Sequence, residues 1–308
     1  MEHLDLVEGL LVSPGVEIGA FKTPIPGITP VYVDRFSDYA NEPTMAEYFG
    51  DAADLPFVDS SLNYVATSHV IEHVANPLSA FLEWYRVLRD GGIIYMVVPN
   101  RLAVFDRSRA LTPVDHMVED FQNQVTQCDG THIHDFVNNV EWHEFSPATA
   151  KSNVAKEREK LLKAYENAIA SGSEVNIHFH TFEPDSMAEL IHRANGVLPL
   201  QGGSFQVERA EVPFPKSQPN GFLVVARVRK PGTMPDIALA DIFRPDVKKF
   251  DKPVVPVRES IVWNEGNFPE AFYLRLYPDV ANAVALDQFV SGYQHFQIFG
   301  QKEGRRVS

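Results

Sequence analysis

An α/β fold built on a mostly parallel, Rossmann-like sheet is what this 308-residue chain predicts. Two observations carry that expectation. Short, unbroken apolar runs have the character of strands buried on both faces: GVEIG (15–19), PVYVDR (30–35), LNYVATSH (62–69) and IIYMVVPN (93–100). A helical pattern stands between the third and the fourth, and strands alternating with helices imply a parallel sheet covered on both sides.

The elements follow in order. LSAFLEWYRVLRDGG (78–92) has apolar residues at helical spacing, closes with Arg86 and Arg89, and stops at a Gly pair. Residues 101–183 interrupt the rhythm and form an insertion. Within it, SPATAKSNVAKEREKLLKAYENAIASG (146–172) reads as a capped, amphipathic, charged helix. PDSMAELIHRANG (184–196) is a helix with Pro at its first position and Gly after its end. SFQVERAEV and GFLVVARVR read as two strands joined by the turn-rich PFPKSQPN. Residues 1–229 thus make one domain. Residues 230–262, proline-rich and without periodicity, read as an extended linker or strap. Residues 263–308 hold a compact aromatic segment, read as a small helical module.

Composition narrows the function. A formal net charge of −14 disfavours nucleic acid, and no local basic patch exceeds short clusters such as RVRK. No apolar run approaches the roughly 18 residues of a membrane helix, and the first residues lack the basic start and apolar core of a signal peptide. The single cysteine, Cys128, excludes an internal disulfide and a Cys-rich zinc cluster. A cytoplasmic setting fits that usage.

SHVIEHV (68–74) poses the sharpest question, because His69-x-x-Glu72-His73 matches the inverted zinc-peptidase pattern. Such a site needs one amphipathic helix through 69–73 and a distant third ligand. Asn76-Pro77 ends any helix within a turn, so the pattern argues for another role. Ser68 and His69 fall at the carboxyl end of a strand, where open α/β sheets bind ligands. Upstream, Gly19 follows the first strand and Asp34 closes the second. A turn glycine there admits a ligand close to the backbone, and the acid accepts from ribose hydroxyls. In GDAADLPFVDSSLNYV, Asp51 is placed to accept from an adenine amine, with Ala52 and Leu55 beside the ring.

Together these residues resemble the class I S-adenosylmethionine-dependent methyltransferases of the type 11-like kind. The acid-plus-glycine motif matches Glu17 and Gly19, the ribose acid Asp34, and the D-A-x-x-L-P-F motif residues 51–57. The fourth-strand motif matches Ser68-His69, and L-x-x-G-G matches residues 88–92. The two late strands resemble the family's terminal antiparallel hairpin. The resemblance covers roughly 15–100 and 184–229. It implies S-adenosyl-L-methionine as cofactor, held by Glu17, Gly19, Ala20, Phe21, Asp34, Arg35, Asp51, Ala52, Leu55, Ser68 and His69. One departure stands out: the usual G-x-G-x-G loop is here Gly19-Ala20-Phe21-Lys22-Thr23. The E-I-G-A-F start, with FDRSRALTPVDHMVEDF and NIHFHTF, resembles a glycan-associated subgroup. The tail resembles a helical module appended to bacterial glycosyltransferases and surface proteins, a candidate for protein contacts.

The insertion is the expected acceptor side. Six of the eleven histidines lie there: His116, His132, His134, His143, His178 and His180. His73, His116, His132, His178 and His180 are the candidate general bases, Asp106 and Arg109 the candidate acceptor-binding residues, and His132, His178 and His180 the candidate ligands of a divalent metal. The expected reaction is O-methylation of a sugar or related small molecule. The alternatives are a non-catalytic binding protein on this fold and a metal-dependent lyase or hydrolase built on the histidines.

Overall fold

The computed structural model describes residues 2–39, 42–147, 149–232 and 237–250, together with 268, 270, 273–274, 277–285 and 289–300. The chain divides into two compact units, 1–252 and 253–308.

Among the described residues the first unit has nine strands: β1 (Gly15–Ile18), β2 (Val31–Asp34), β3 (Asp38–Tyr39), β4 (Glu42–Pro43), β5 (Tyr48–Phe49), β6 (Leu62–Ser68), β7 (Leu88–Pro99), β8 (Ser204–Phe214) and β9 (Gly221–Arg229). Seven form one sheet in the order β5-β2-β1-β6-β7-β9-β8, and β3 and β4 pair separately. The first five strands of the sheet run parallel, and β9 lies antiparallel to both β7 and β8. This is the Rossmann-like methyltransferase sheet with its terminal hairpin.

Alternation along the central strands sorts their side chains to two faces. Ile94, Met96 and Val98 of β7 join Phe222, Val224 and Ala226 of β9 in the larger core, together with Phe81, Trp84 and Val87. Ile93, Tyr95 and Val97 point the other way and meet Val7, Leu11, Ile25 and Phe214. Strand β8 is the outer edge. Its exposed Glu208 pairs with Arg227 and its Arg209 with Glu211, charges that discourage edge-to-edge pairing.

The helices are α1 (Leu4–Val7), α2 (Pro77–Val87), α3 (Val114–Gln122), α4 (Gly130–Asn139), α5 (Trp142–Phe145), α6 (Val154–Ala170) and α7 (Pro184–Val197). Pro77 occupies the first turn of α2, and Asn76 caps it by accepting from the Ser79 N–H at 3.0 Å. The helix ends at Val87, earlier than the sequence pattern suggests, and Leu88 already belongs to β7. Gly91, at φ +76°, supplies a left-handed residue inside the strand rather than a helix stop. In α7 the helix runs one residue past Gly196. Helix α6 starts at Val154 without a side-chain cap, preceded by a single 3₁₀ turn.

The crossovers from β1 to β2 and from β2 to β5 contain no helix, unlike the expected alternation. Pro24, Pro26 and Pro30 crowd the first connection, and proline removes the N–H that a helix interior needs. Within the insertion, α4, α6 and the 175–179 segment close a core of their own around Ile133, Phe136, Val137 and Ile177. The described part of the proline-rich stretch acts as a strap: the ring of Phe243 stacks on Tyr48 and Phe57, and Phe49 N–H donates to the Lys248 carbonyl. Residues 251–262 of that stretch lie outside the described residues. In the second unit, Phe268, Tyr273, Val280 and Phe296 pack into a small aromatic core around the helix Pro278–Ala285. Among the described residues no helix is long and apolar enough to cross a membrane.

Candidate active site

A cavity of about 1080 Å³ opens at the carboxyl ends of β1, β2 and β6. That is the upper end of the range for small-molecule sites, roughly 300–1,000 Å³. Gly19, Ala20, Phe21, Asp34, Arg35, Asp51, Ala52, Ser68 and His69 all line it. The sequence reading placed these residues together from motifs alone. Glu17 and Leu55, grouped with them, are buried beneath the wall and do not line the cavity.

Backbone geometry builds the near side. Gly19 turns at φ +70°, and a Cβ there would sit 2.7 Å from Val70 Cγ2. Phe21 holds the left-handed region at φ +45°, a conformation that glycine reaches without strain. Its carbonyl accepts from Met45 N–H at 2.8 Å, which fixes the loop. Helix α2 pins the Asp51–Leu55 turn from behind. Glu83 accepts from Leu55 N–H at 2.7 Å, and the buried Trp84 indole donates to the Ala52 carbonyl at 2.9 Å. Within the turn, Asp51 Oδ1 accepts from Ala53 N–H at 2.8 Å, and its Oδ2 meets Arg35 Nε at 3.0 Å. Arg35 also pairs with Glu174 of the insertion, so the cofactor side and the insertion meet over the cavity. A carboxylate accepts about four hydrogen bonds, which leaves Asp51 capacity for an amine. The two acids at one cavity, with the left-handed Gly19 turn at the end of the neighbouring β1, fit the adenosine half of S-adenosyl-L-methionine.

The far side is a cluster the sequence only half revealed. His69 and His73 line the cavity, and Glu72 lies fully buried between them. Glu72 Oε1 is 3.7 Å from His69 Nδ1, 3.7 Å from His73 Nε2 and 3.9 Å from His178 Nε2. Neither oxygen of Glu72 has a hydrogen-bond partner among the described residues. Burial, only partly countered by the charge of His178, pushes Glu72 up to about 7. Burial and then the His178 charge push His69 down to about 4 and His73 down to about 3. Behind them, His178 Nδ1 meets Asp106 Oδ2 at 2.5 Å, and Arg109 bridges Asp106 and Asp135. Burial raises Asp106, but His178 and Arg109 together hold it below the usual carboxylate range. Asp106 and Arg109 are themselves buried and do not line the cavity.

Residues 71–73 form one 3₁₀ turn and His69 sits at φ +55°, so the helix of an inverted zinc peptidase is not formed. His116, His132 and His180 do not line the cavity and gather with Asp120 in a second cluster. The three metal candidates therefore divide: His178 stands with Glu72 and His73, while His132 and His180 stand with His116 and Asp120. Sequence reasoning missed the stretch Val125–Cys128 that forms part of the cavity wall.

Residues 28–96 match the family model described as a methyltransferase domain. A probable S-adenosylmethionine-dependent methyltransferase of Mycolicibacterium smegmatis is 40% identical over 53 residues, 17% of this chain and 21% of that protein. A 37.1 kDa protein in transposon Tn4556 of Streptomyces fradiae is 40% identical over 60 residues, 20% of this chain and 17% of that protein. The chain thus spans about a fifth of the length of these curated relatives. Among solved structures, an S-adenosylmethionine-dependent methyltransferase from Methanosarcina mazei is 15% identical at a TM-score of 0.40, covering 73% of this chain and 98% of that one. Over residues 28–96, on its Rossmann-like sheet, the chain is similar to a methyltransferase domain.

Proposed function

We propose that this protein methylates a hydroxyl of a sugar or a related small molecule. The observation that carries the reading is the shared cavity: the motif residues Gly19, Asp34 and Asp51 line it, and so do His69 and His73, with the buried Glu72 behind them. Bound there, S-adenosyl-L-methionine supplies an electrophilic methyl group with a neutral thioether as leaving group.

The protein's task is then alignment and proton removal. Asp34 would hold the ribose hydroxyls and Asp51 the adenine amine, and so fix the donor. Ser68 and His69, at the end of β6, line the same cavity. The acceptor's proton would be taken up on the histidine–carboxylate side, where His73 lines the cavity and Glu72, pushed up to about 7 by burial, stands behind it as the stronger base. Asp106, held by Arg109, orients His178 against Glu72 and so acts as a positioning residue.

A second route to the same end has one observation in its favour. Glu72, His73 and His178 bring their ligand atoms within 4.8 Å of one another. A divalent ion held there would lower the acceptor's pKa directly. A sugar acceptor, the glycan setting and a cytoplasmic site rest on the sequence resemblance and the single cysteine. The carboxy-terminal unit is proposed to make protein contacts.

Calorimetric titration with S-adenosylhomocysteine tests the reading first. Saturable heat in the wild type, lost in a D34A/D51A double variant, supports it. No heat and no thermal shift would remove it. Transfer of a labelled methyl group to a panel of hydroxylated sugars then identifies the acceptor.

A further inference from the structure

We propose that His116, Asp120, His132 and His180 hold a divalent transition-metal ion of the zinc class, in a closed four-ligand site that pins the insertion to the cavity wall. The four residues come from three separate segments. His116 and Asp120 stand one turn apart on α3, His132 opens α4, and His180 lies on the chain leading into α7.

The spacing is that of a coordination shell. His116 Nε2 is 3.4 Å from His132 Nε2 and 3.4 Å from Asp120 Oδ2. His180 Nε2 is 3.9 Å from Asp120 Oδ2, and the four ligand atoms all lie within 4.8 Å of one another. Donors at 2.0–2.1 Å around a tetrahedral ion sit about 3.3 Å apart, so a small inward movement of His180 completes the shell. His180 also has the Ala75 carbonyl 3.3 Å from Nε2.

Burial makes the cluster costly without an ion. His180 and His132 are 0% and 3% exposed, and Asp120 is 4% exposed. Asp120 Oδ2 has no hydrogen-bond partner among the described residues. A buried polar atom left in that state costs roughly 1–3 kcal/mol, whereas a bound cation uses its lone pair.

The surroundings fit a ligand set as well. His132 Nδ1 lies 2.9 Å from Asp129 Oδ1, a carboxylate that also accepts from Thr131 N–H at 2.8 Å. Without an ion, Asp129 N–H donates to the same nitrogen at 3.5 Å; a cation at Nε2 would exchange that bond for donation from Nδ1 to the Asp129 carboxylate. With its proton on Nδ1, His132 turns an Nε2 lone pair to the cluster, the carboxylate–histidine arrangement common behind metal ligands. Four protein ligands leave no open position, which marks the site as structural. Its reach to the cavity is through the backbone. Asn76, which lines the cavity, donates from its amide to the carbonyls of Asp120 and Val125 at 3.2 Å each.

The experiment is metal analysis of the full chain, stripped with a chelator and reloaded with zinc. About one zinc per chain is expected at this site, with the melting temperature falling on chelation. H116A and D120N lose that equivalent and H178A keeps it. His116 is the most exposed of the four, so H116A is the variant least at risk of misfolding. D129N, which removes no ligand, weakens zinc binding by about 10- to 100-fold. Unchanged zinc in H116A and D120N overturns the site, as does zinc that follows His178 instead, or a wild type that takes up none. Heat on titration with S-adenosylhomocysteine is scored separately, so this result and the methyl-transfer reading fail independently.

Discussion

His178 Nδ1 lies 2.5 Å from Asp106 Oδ2, while the other nitrogen of the same ring lies 3.9 Å from Glu72 Oε1. The ring therefore stands between two buried carboxylates, one committed to Arg109 and one without a hydrogen-bond partner among the described residues. That asymmetry marks Glu72 as the group with free capacity behind the cavity wall.

E72Q keeps the size and removes the proton acceptor. It is expected to lower kcat by about 10²- to 10⁴-fold, the range for one general base. Affinity for S-adenosylhomocysteine should stay within about threefold, because Glu72 does not touch the donor's side of the cavity. Single-turnover rates with calorimetry on the same preparation separate the two. A large loss of affinity with kcat intact would instead assign Glu72 a role in building the donor site.

D34A and D51A should each weaken S-adenosylhomocysteine by about 10- to 100-fold, the worth of one or two charge-assisted hydrogen bonds. D51A frees Arg35 from its 3.0 Å partner, so R35A serves as the control. If R35A matches D51A, the ion pair rather than the carboxylate carries the effect. Melting temperatures should move little in D34A, whose side chain accepts from the Phe36 N–H of its own turn.

The cofactor side was legible because its motifs are local. Strand, turn glycine and terminal acid lie within twenty residues, and the sheet brings such units together by a fixed rule. The helix-free crossovers were legible only in hindsight, as prolines at 24, 26 and 30. Within the insertion, the charged helix α6 and the histidine content were readable, and the tertiary pairings were not. Asp106, Arg109 and His178 are separated by up to 72 residues and meet through tertiary packing alone. A residue count cannot tell a buried buttress such as Arg109 from an acceptor-binding arginine. Nor could it divide His178 from His180, two residues apart on the chain yet in different clusters.

The strap should stabilise the motif it covers. Phe243 stacks at 4.4 Å on Tyr48 and at 5.2 Å on Phe57, which flank the Asp51 turn. Arg244 adds a 2.8 Å pair with Asp54. F243A is expected to cost about 2–3 kcal/mol, a fall of about 5–10 °C in melting temperature for a unit of this size. S-adenosylhomocysteine affinity should fall with it, since the turn loses its outer support. A variant with unchanged stability would make residues 237–250 a passive linker.

Glu17 gives the clearest pH signature. Its carboxylate is buried in β1, with Oε1 accepting from Ile25 N–H at 2.9 Å. Burial pushes it up to about 7, with the Ile25 hydrogen bond opposing. The folded protein therefore binds this proton more tightly than the unfolded chain. The associated stability is fully present below the unfolded value near 4.5 and is lost as pH rises through about 7. Tyr64, close by, is pushed up to about 12 and stays neutral over that window. E17Q, neutral at every pH, should match the wild type near pH 4 and exceed it by on the order of 2–3 kcal/mol at pH 8. Denaturant midpoints of both proteins between pH 4 and pH 8 measure the difference. A gap that stays constant across the range would mean that Glu17 is ionised in the folded state as it is in the unfolded chain.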